Sequence, residues 1–145
     1  QEAVREIAVD DKSDVMRQLA DIFADCYGLD GGVALDALEE RERLGSTGFG
    51  RGYAVPHNRM KGITHPLVVL LRLARPVDFD AADDMPVSLV FGLLSPEQGG
   101  VAHLHALASI SRLMRDETMH RRMMAAPDAE ALFALLSNSI DRHAA

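Results

Sequence analysis

The sequence has one cysteine, Cys26, and no tryptophan. A single thiol cannot build an internal disulfide framework, so the chain has no covalent staple of its own, which suits a reducing cytoplasm. Cys26 reads as a buried thiol on a helix. Aromatic residues make up 5% of the chain, too few for the stacking platforms that hold single-stranded nucleic acids. Positive charge is also scarce, with fifteen Lys and Arg against twenty-two Asp and Glu and a formal charge of −7. That balance opposes DNA or RNA as a partner, because phosphate neutralisation supplies much of such binding, and it suits a basic protein partner instead. No run approaches the roughly 18 apolar residues needed to cross a bilayer, and the first residues lack the basic-then-apolar order of a secretory signal. Membrane insertion is therefore not expected. Internal repeats, low-complexity runs and long Pro/Gly/Ser linkers are missing too, so nothing divides the chain into parts.

What remains is the composition of one domain. The chain has 145 residues and 48% hydrophobic content, enough for one well-formed core. A single domain over residues 1–145 is expected. Val4 to Val9 reads as a short strand. From Lys12 to Tyr27, Val15, Met16, Leu19, Phe23 and Cys26 recur at helical spacing, with Ser13 available as a cap. A second helix begins near Gly32 and turns Leu35 and Leu38 inward. Leu67 to Leu73 and Val87 to Leu94 are nearly continuous apolar runs, as in strands covered on both faces. Arg75-Pro76 and Asp78 to Asp84 read as the connection between them. Val101 to Arg115 has helical periodicity, with Leu104, Leu107, Ala108, Ser111 and Met114 on one stripe. Pro127-Asp128 opens a last helix carrying Leu132, Phe133, Leu135 and Leu136. Helices alternating with buried strands predict an α/β sandwich around a central mixed or parallel sheet.

Several patterns invite chemistry and fail on spacing. Gly45 to Gly52 is glycine-rich, but no Lys-Ser or Lys-Thr follows it, and Gly48, Gly50 and Gly52 miss the dinucleotide fingerprint. The glycines read as turns rather than as a regular element. Asp78, Asp80, Asp83 and Asp84 lack the glycine and distal glutamate of a calcium loop and read as solvated. Met114, Met119, Met123 and Met124 are sticky enough for an interaction surface, though core packing is the default for flexible thioethers.

Histidine is more informative. His57 follows Pro56, which disfavours a helix, so its imidazole is expected where a strand ends and a loop begins, both held and exposed. On a helix from Val101, His103 points inward near the N-terminus, while His105, roughly 200° further round, faces water. A neutral imidazole is a good nucleophile toward phosphorus, and a helix N-terminus can donate N–H groups to an incoming anion. Zinc held by His57, His103 and His105 is the rival constellation. Histidines two apart cannot share a helix face, however, and no ligand-spaced carboxylate joins them.

Here a resemblance enters. Glu42, Phe49, Gly50, Ala54, Val55, Pro56 and His57 match in register the active-site motif of type-2 IIA domains of the bacterial sugar phosphotransferase system. Tyr53 stands where an aliphatic residue is usual and Asn58 where a small one is. Leu38 to Gly48, Asp84 to Phe91, Ser95-Pro96-Glu97 with His103-Leu104, and Asp128 to Leu136 are also similar to the family, so the likeness runs from about Ile7 onward. The segment before it is short, as expected of a chain with a trimmed N-terminus. The wording around Gly45-Ser46-Thr47 and Phe79-Asp80 is most like the nitrogen-regulatory members.

The resemblance implies a phosphocarrier fold of the mannitol/fructose type, located in the cytoplasm. It implies that His57 takes a phosphoryl group from HPr or its nitrogen-branch homologue. His57 then passes it to a IIB domain, or its phosphorylation state sets binding to a regulated transporter or kinase. It gives His103 a supporting part beside phospho-His57, makes Arg41 a counter to the phosphate charge, and offers Ser46 and Thr47 as phosphate contacts. No ATP, metal or organic cofactor is implied. A regulatory binding module without obligatory phosphorylation and a metal hydrolase are the alternative classes.

Overall fold

The computed structural model describes residues 3–144, with side chains described through Ser137. In chain order the elements are β1 (Val4–Ile7), α1 (Lys12–Tyr27), α2 (Gly31–Arg43), β2 (Gly48–Gly50), β3 (Tyr53–Ala54) and β4 (His57–Met60). They continue with β5 (Leu67–Val77), β6 (Val87–Pro96), α3 (Gly100–Arg115), α4 (Glu117–Ala125) and α5 (Ala129–Ala144). The strands form one mixed sheet in the order β1-β5-β6-β3-β2, with β4 continuing along β6 beyond β3. β1 runs parallel to β5, β5 antiparallel to β6, and β3 and β4 both parallel to β6.

The two apolar runs are central strands because both their faces are covered. Leu19, Phe23 and Leu38 of α1 and α2 pack with Val69, Leu71, Val90 and Leu94 on one face. Leu70, Leu89, Phe91 and Leu93 meet Ile110, Met114, Met119, Met123 and Leu132 on the other. Each such fully buried side chain contributes about 1.5–3 kcal/mol of transfer free energy. Gly92 makes room for the first layer: a Cβ there would lie 2.5 Å from Cδ1 of Leu19, so a larger residue would force the buried Leu19 side chain to move. No helix among the described residues is long and apolar enough to cross a membrane.

The structure corrects the sequence reading at several places. α1 is capped by Asp11, whose carboxylate accepts from the Asp14 N–H at 2.8 Å, while Ser13 lies inside the helix and accepts from Arg17. Arg75 and Pro76 belong to β5, not to the connection, because pairing resumes at Val77–Val87 after an irregularity in register. The glycine segment forms strands after all: β2 and β3 pair antiparallel across a tight turn whose residues Gly50, Arg51 and Gly52 have φ of 100°, 58° and 86°. α4 is a separate helix capped by Asp116, and it divides the methionines, burying Met119 and Met123 and leaving Met124 exposed. On α3 the buried stripe is His103, Ile110, Leu113 and Met114. Leu104, expected inside, is 63% exposed.

Candidate functional site

The site lies where β4 meets the first turns of α3. β3 ends at Ala54, and the chain crosses Val55 and Pro56 before pairing with β6 again at His57, so His57 opens a strand where the sequence predicted a strand's end. Pro56 lacks an N–H but still serves the ladder, its carbonyl accepting from Leu93 at 2.9 Å. Alternation then sorts the side chains of β4. Asn58 turns toward α2, where its amide donates to the Ala37 carbonyl at 2.7 Å, and His57 faces α3.

His57 and His103 are brought together, with ring centroids 5.6 Å apart and planes inclined by 43°. Nδ1 of His57 lies 2.6 Å from the Val55 carbonyl. A carbonyl only accepts, so Nδ1 carries the proton and Nε2 keeps its lone pair. Burial lowers the basicity of His57 below the ordinary histidine value. The Val55 bond opposes this, Arg41 adds to it and Glu42 opposes it. His103 is lowered as well, by burial first and then by the neighbouring His57 and Arg59. Both rings are therefore neutral at pH 7, the form a nucleophilic imidazole requires. α3 starts at Gly99 without a side-chain cap, so no side chain competes for the N–H groups of its first turn.

The other predicted residues surround this pair. Arg41, on the last turn of α2, donates to the Gly45 carbonyl at 3.0 Å and acts electrostatically on His57. Ser46 and Thr47 line, with Gly48, Phe49, Val55, His57 and Leu107, a cleft of about 390 Å³. Their hydroxyls are committed elsewhere: Ser46 donates to the Phe79 carbonyl and Thr47 to the Glu42 carboxylate. Both are at present loop-shaping residues. His105 is exposed, and among the described residues no three His, Cys, Asp or Glu side chains gather as metal ligands.

Three contributions were missed by sequence reasoning. Glu42, noticed only as a motif position, also accepts the Thr47 N–H at 3.1 Å and pairs with Lys12 at 2.7 Å, tying the start of α1 to the loop. Arg59 lies two residues after His57 on the same strand and reaches toward Gly100. Ser95 is buried with its hydroxyl 2.7 Å from Nδ1 of His103. A polar residue ending an apolar strand is the signal that could have flagged it. Phe49, which lines the cleft, is exposed, and so are Val101 and Leu104 at the start of α3.

Known proteins are similar to this chain in sequence and in fold. The nitrogen regulatory protein of Bradyrhizobium diazoefficiens is 37% identical over 131 residues, covering 90% of this chain and 86% of the relative. That of Pseudomonas aeruginosa is 40% identical over 126 residues, covering 86% and 82%. A fructose-specific EIIA component from Haloferax volcanii is 34% identical over 131 residues, covering 90% and 85%. Among solved structures, nitrogen regulatory protein IIA-Ntr from Neisseria meningitidis superposes with a TM-score of 0.87 at 31% identity, covering 94% of each chain. The mannitol IIA enzyme of Escherichia coli, solved in complex with its phosphorylated IIB partner, shares the fold at 19% identity and a TM-score of 0.78, with 94% and 95% covered. Residues 2–139 match the family described as "Phosphoenolpyruvate-dependent sugar phosphotransferase system, EIIA 2", and the chain belongs to that family.

Proposed function

We propose that this chain is a cytoplasmic phosphocarrier of the nitrogen-regulatory kind, in which Nε2 of His57 receives a phosphoryl group from a phosphohistidine on an HPr-type donor. The observation that carries this reading is the bond from His57 Nδ1–H to the Val55 carbonyl, which leaves a free Nε2 lone pair beside His103. In the transfer, that lone pair forms a new P–N bond while the donor's P–N bond breaks and its electron pair returns to the donor imidazole. The Nδ1 proton stays bonded toward the Val55 carbonyl, so phospho-His57 forms as an imidazolium, and the donor leaves as a neutral imidazole because its other ring nitrogen carries a proton in the reacting form. Arg41 and Arg59 offset the charge of the bound phosphoryl group, and His103 donates to one of its oxygens. For Ser46 or Thr47 to touch the phosphate, its present bond to Phe79 or Glu42 would have to exchange.

The exposed Phe49, Val101 and Leu104 supply the apolar contact for the donor. Downstream, phospho-His57 either hands its group to a IIB domain or changes the affinity for a regulated transporter or kinase. The nitrogen regulatory relatives at 37% and 40% identity favour the second course. Incubation with a phosphorylated HPr-type donor tests the reading. It should add one phosphoryl mass per chain, mapped to Nε2 of His57. No added mass, or mass on another residue, would overturn it.

A further inference from the structure

The row of β6 facing α3 reads Leu89, Phe91, Leu93, Ser95: three core hydrophobes and then a hydroxyl. Ser95 is 0% exposed, a polar residue continuing a row of core hydrophobes. Its register partner on β4 is Arg59, two residues beyond His57. A buried hydroxyl hydrogen without an acceptor is costly. Among the described residues the one partner of Ser95 Oγ is Nδ1 of His103, at 2.7 Å.

We infer that Ser95 is a positioning residue that sets the tautomer of His103, donating its hydroxyl hydrogen to Nδ1 and so keeping the imidazole proton on Nε2 as a donor for the phosphoryl group on His57. Were Nδ1–H to donate to Ser95 instead, the Ser95 hydrogen would be buried with no acceptor, and Nε2 would offer a lone pair to an anion. Neutral His103 holds only one ring proton, so its location decides whether the ring attracts or repels a phosphoryl oxygen. The two rings are thus in opposite tautomers. A carbonyl holds the proton on Nδ1 of His57 and makes Nε2 a nucleophile, whereas a hydroxyl fills Nδ1 of His103 and makes its Nε2 a donor. The inference rests on the phosphocarrier reading for its functional part.

The test uses the full chain with 15N-labelled histidine. In the unphosphorylated wild type, His103 should show the Nε2–H pattern, and an Nδ1–H pattern there would overturn the inference before any variant is made. Ser95→Ala should shift His103 toward Nδ1–H and shorten the lifetime of phospho-His57 roughly threefold to tenfold, the scale of one hydrogen bond. Ser95→Thr, which keeps the hydroxyl, should restore both. A Ser95→Ala protein with a lower melting temperature but unchanged tautomer and lifetime would make Ser95 a packing residue only. A wild type that takes no phosphoryl group would sink the phosphocarrier reading, while the tautomer measurement still decides the part of Ser95.

Discussion

Two histidine environments on this molecule look alike by basicity and differ in everything else. His120 on α4 stands edge-on to Tyr53, with ring centroids 4.9 Å apart and planes at 90°, and burial lowers its basicity as it does at His57 and His103. Yet no hydrogen bond reaches the His120 ring among the described residues, and the buried Tyr53 hydroxyl beside it has no partner. That hydroxyl is pushed up to about 12, by burial and then by Asp116. At the His57–His103 pair each ring instead has one nitrogen occupied by a partner of defined polarity. Depressed basicity follows from burial anywhere in a fold. Fixed tautomers require specific neighbours, and they separate the site from the packing.

The sharpest break in this comparison comes from exchanging the fates of the two histidines. His57→Ala should bring phosphoryl acceptance to background while the fold persists, because a half-buried strand-edge imidazole adds little to the core. His120→Ala should accept at the wild-type rate. Labelling both with the same phosphorylated donor decides the matter, and an inactive His120 variant that is still folded would erase the distinction.

Acid should act next most strongly. The folded-state basicity of all three histidines is lowered, so the unfolded chain binds their protons first as pH falls. Their contribution to stability is complete above the unfolded value near 6.5. It is lost progressively as pH drops below that value toward the folded ones. Acceptance by His57 should fall off only at a lower pH than for a free histidine. A decline starting above pH 7 would show that the ring is not held neutral.

Glu42→Ala probes the scaffold on the α2 side. The Glu42 side chain is 7% exposed, and its loss leaves the Lys12 ammonium with only Phe79 and the two Thr47 donors without their acceptor. The expected cost is about 1–3 kcal/mol in urea denaturation, with slower phosphoryl acceptance as the loop loosens. Wild-type stability would mean that the network is solvated rather than structural.

The smallest effect is expected at the other histidine. Tyr53→Phe removes an unpartnered buried hydroxyl and keeps the ring against Phe91 and His120. Stability should be unchanged or rise by about 1 kcal/mol, with acceptance unaffected. A loss of stability would reveal a partner for that hydroxyl and bring the two environments closer together.

Much of the fold was legible. The Val- and Leu-rich runs at Leu67 and Val87 became the two central strands, and the 3.6-residue period from Lys12 to Tyr27 became α1. α4 escaped because nine residues mixing four charges or histidines with methionines give no clear period. On α3 the sequence predicts both His103 and Leu104 inward, and only His103 is buried, because it shares a face with Ile110, Leu113 and Met114 and meets the polar end of β6, while Leu104 lies about 100° further round. The resemblance offers Ser46 and Thr47 as phosphate contacts, and a sequence does not reveal that Phe79 and Glu42 are close enough to engage their hydroxyls.

The order of residues alone therefore determined the layers, because periodicity is a local property of the chain, and the motif that ends at Pro56-His57 pointed, through the family resemblance, to the residue proposed as the nucleophile. Only the tertiary structure decided what each imidazole can do. Protons on His57 and His103 are placed by a carbonyl two residues away and by a hydroxyl on β6 eight residues before the helix histidine. The direction of such bonds depends on which strand and helix fold against each other, a fact no local pattern contains.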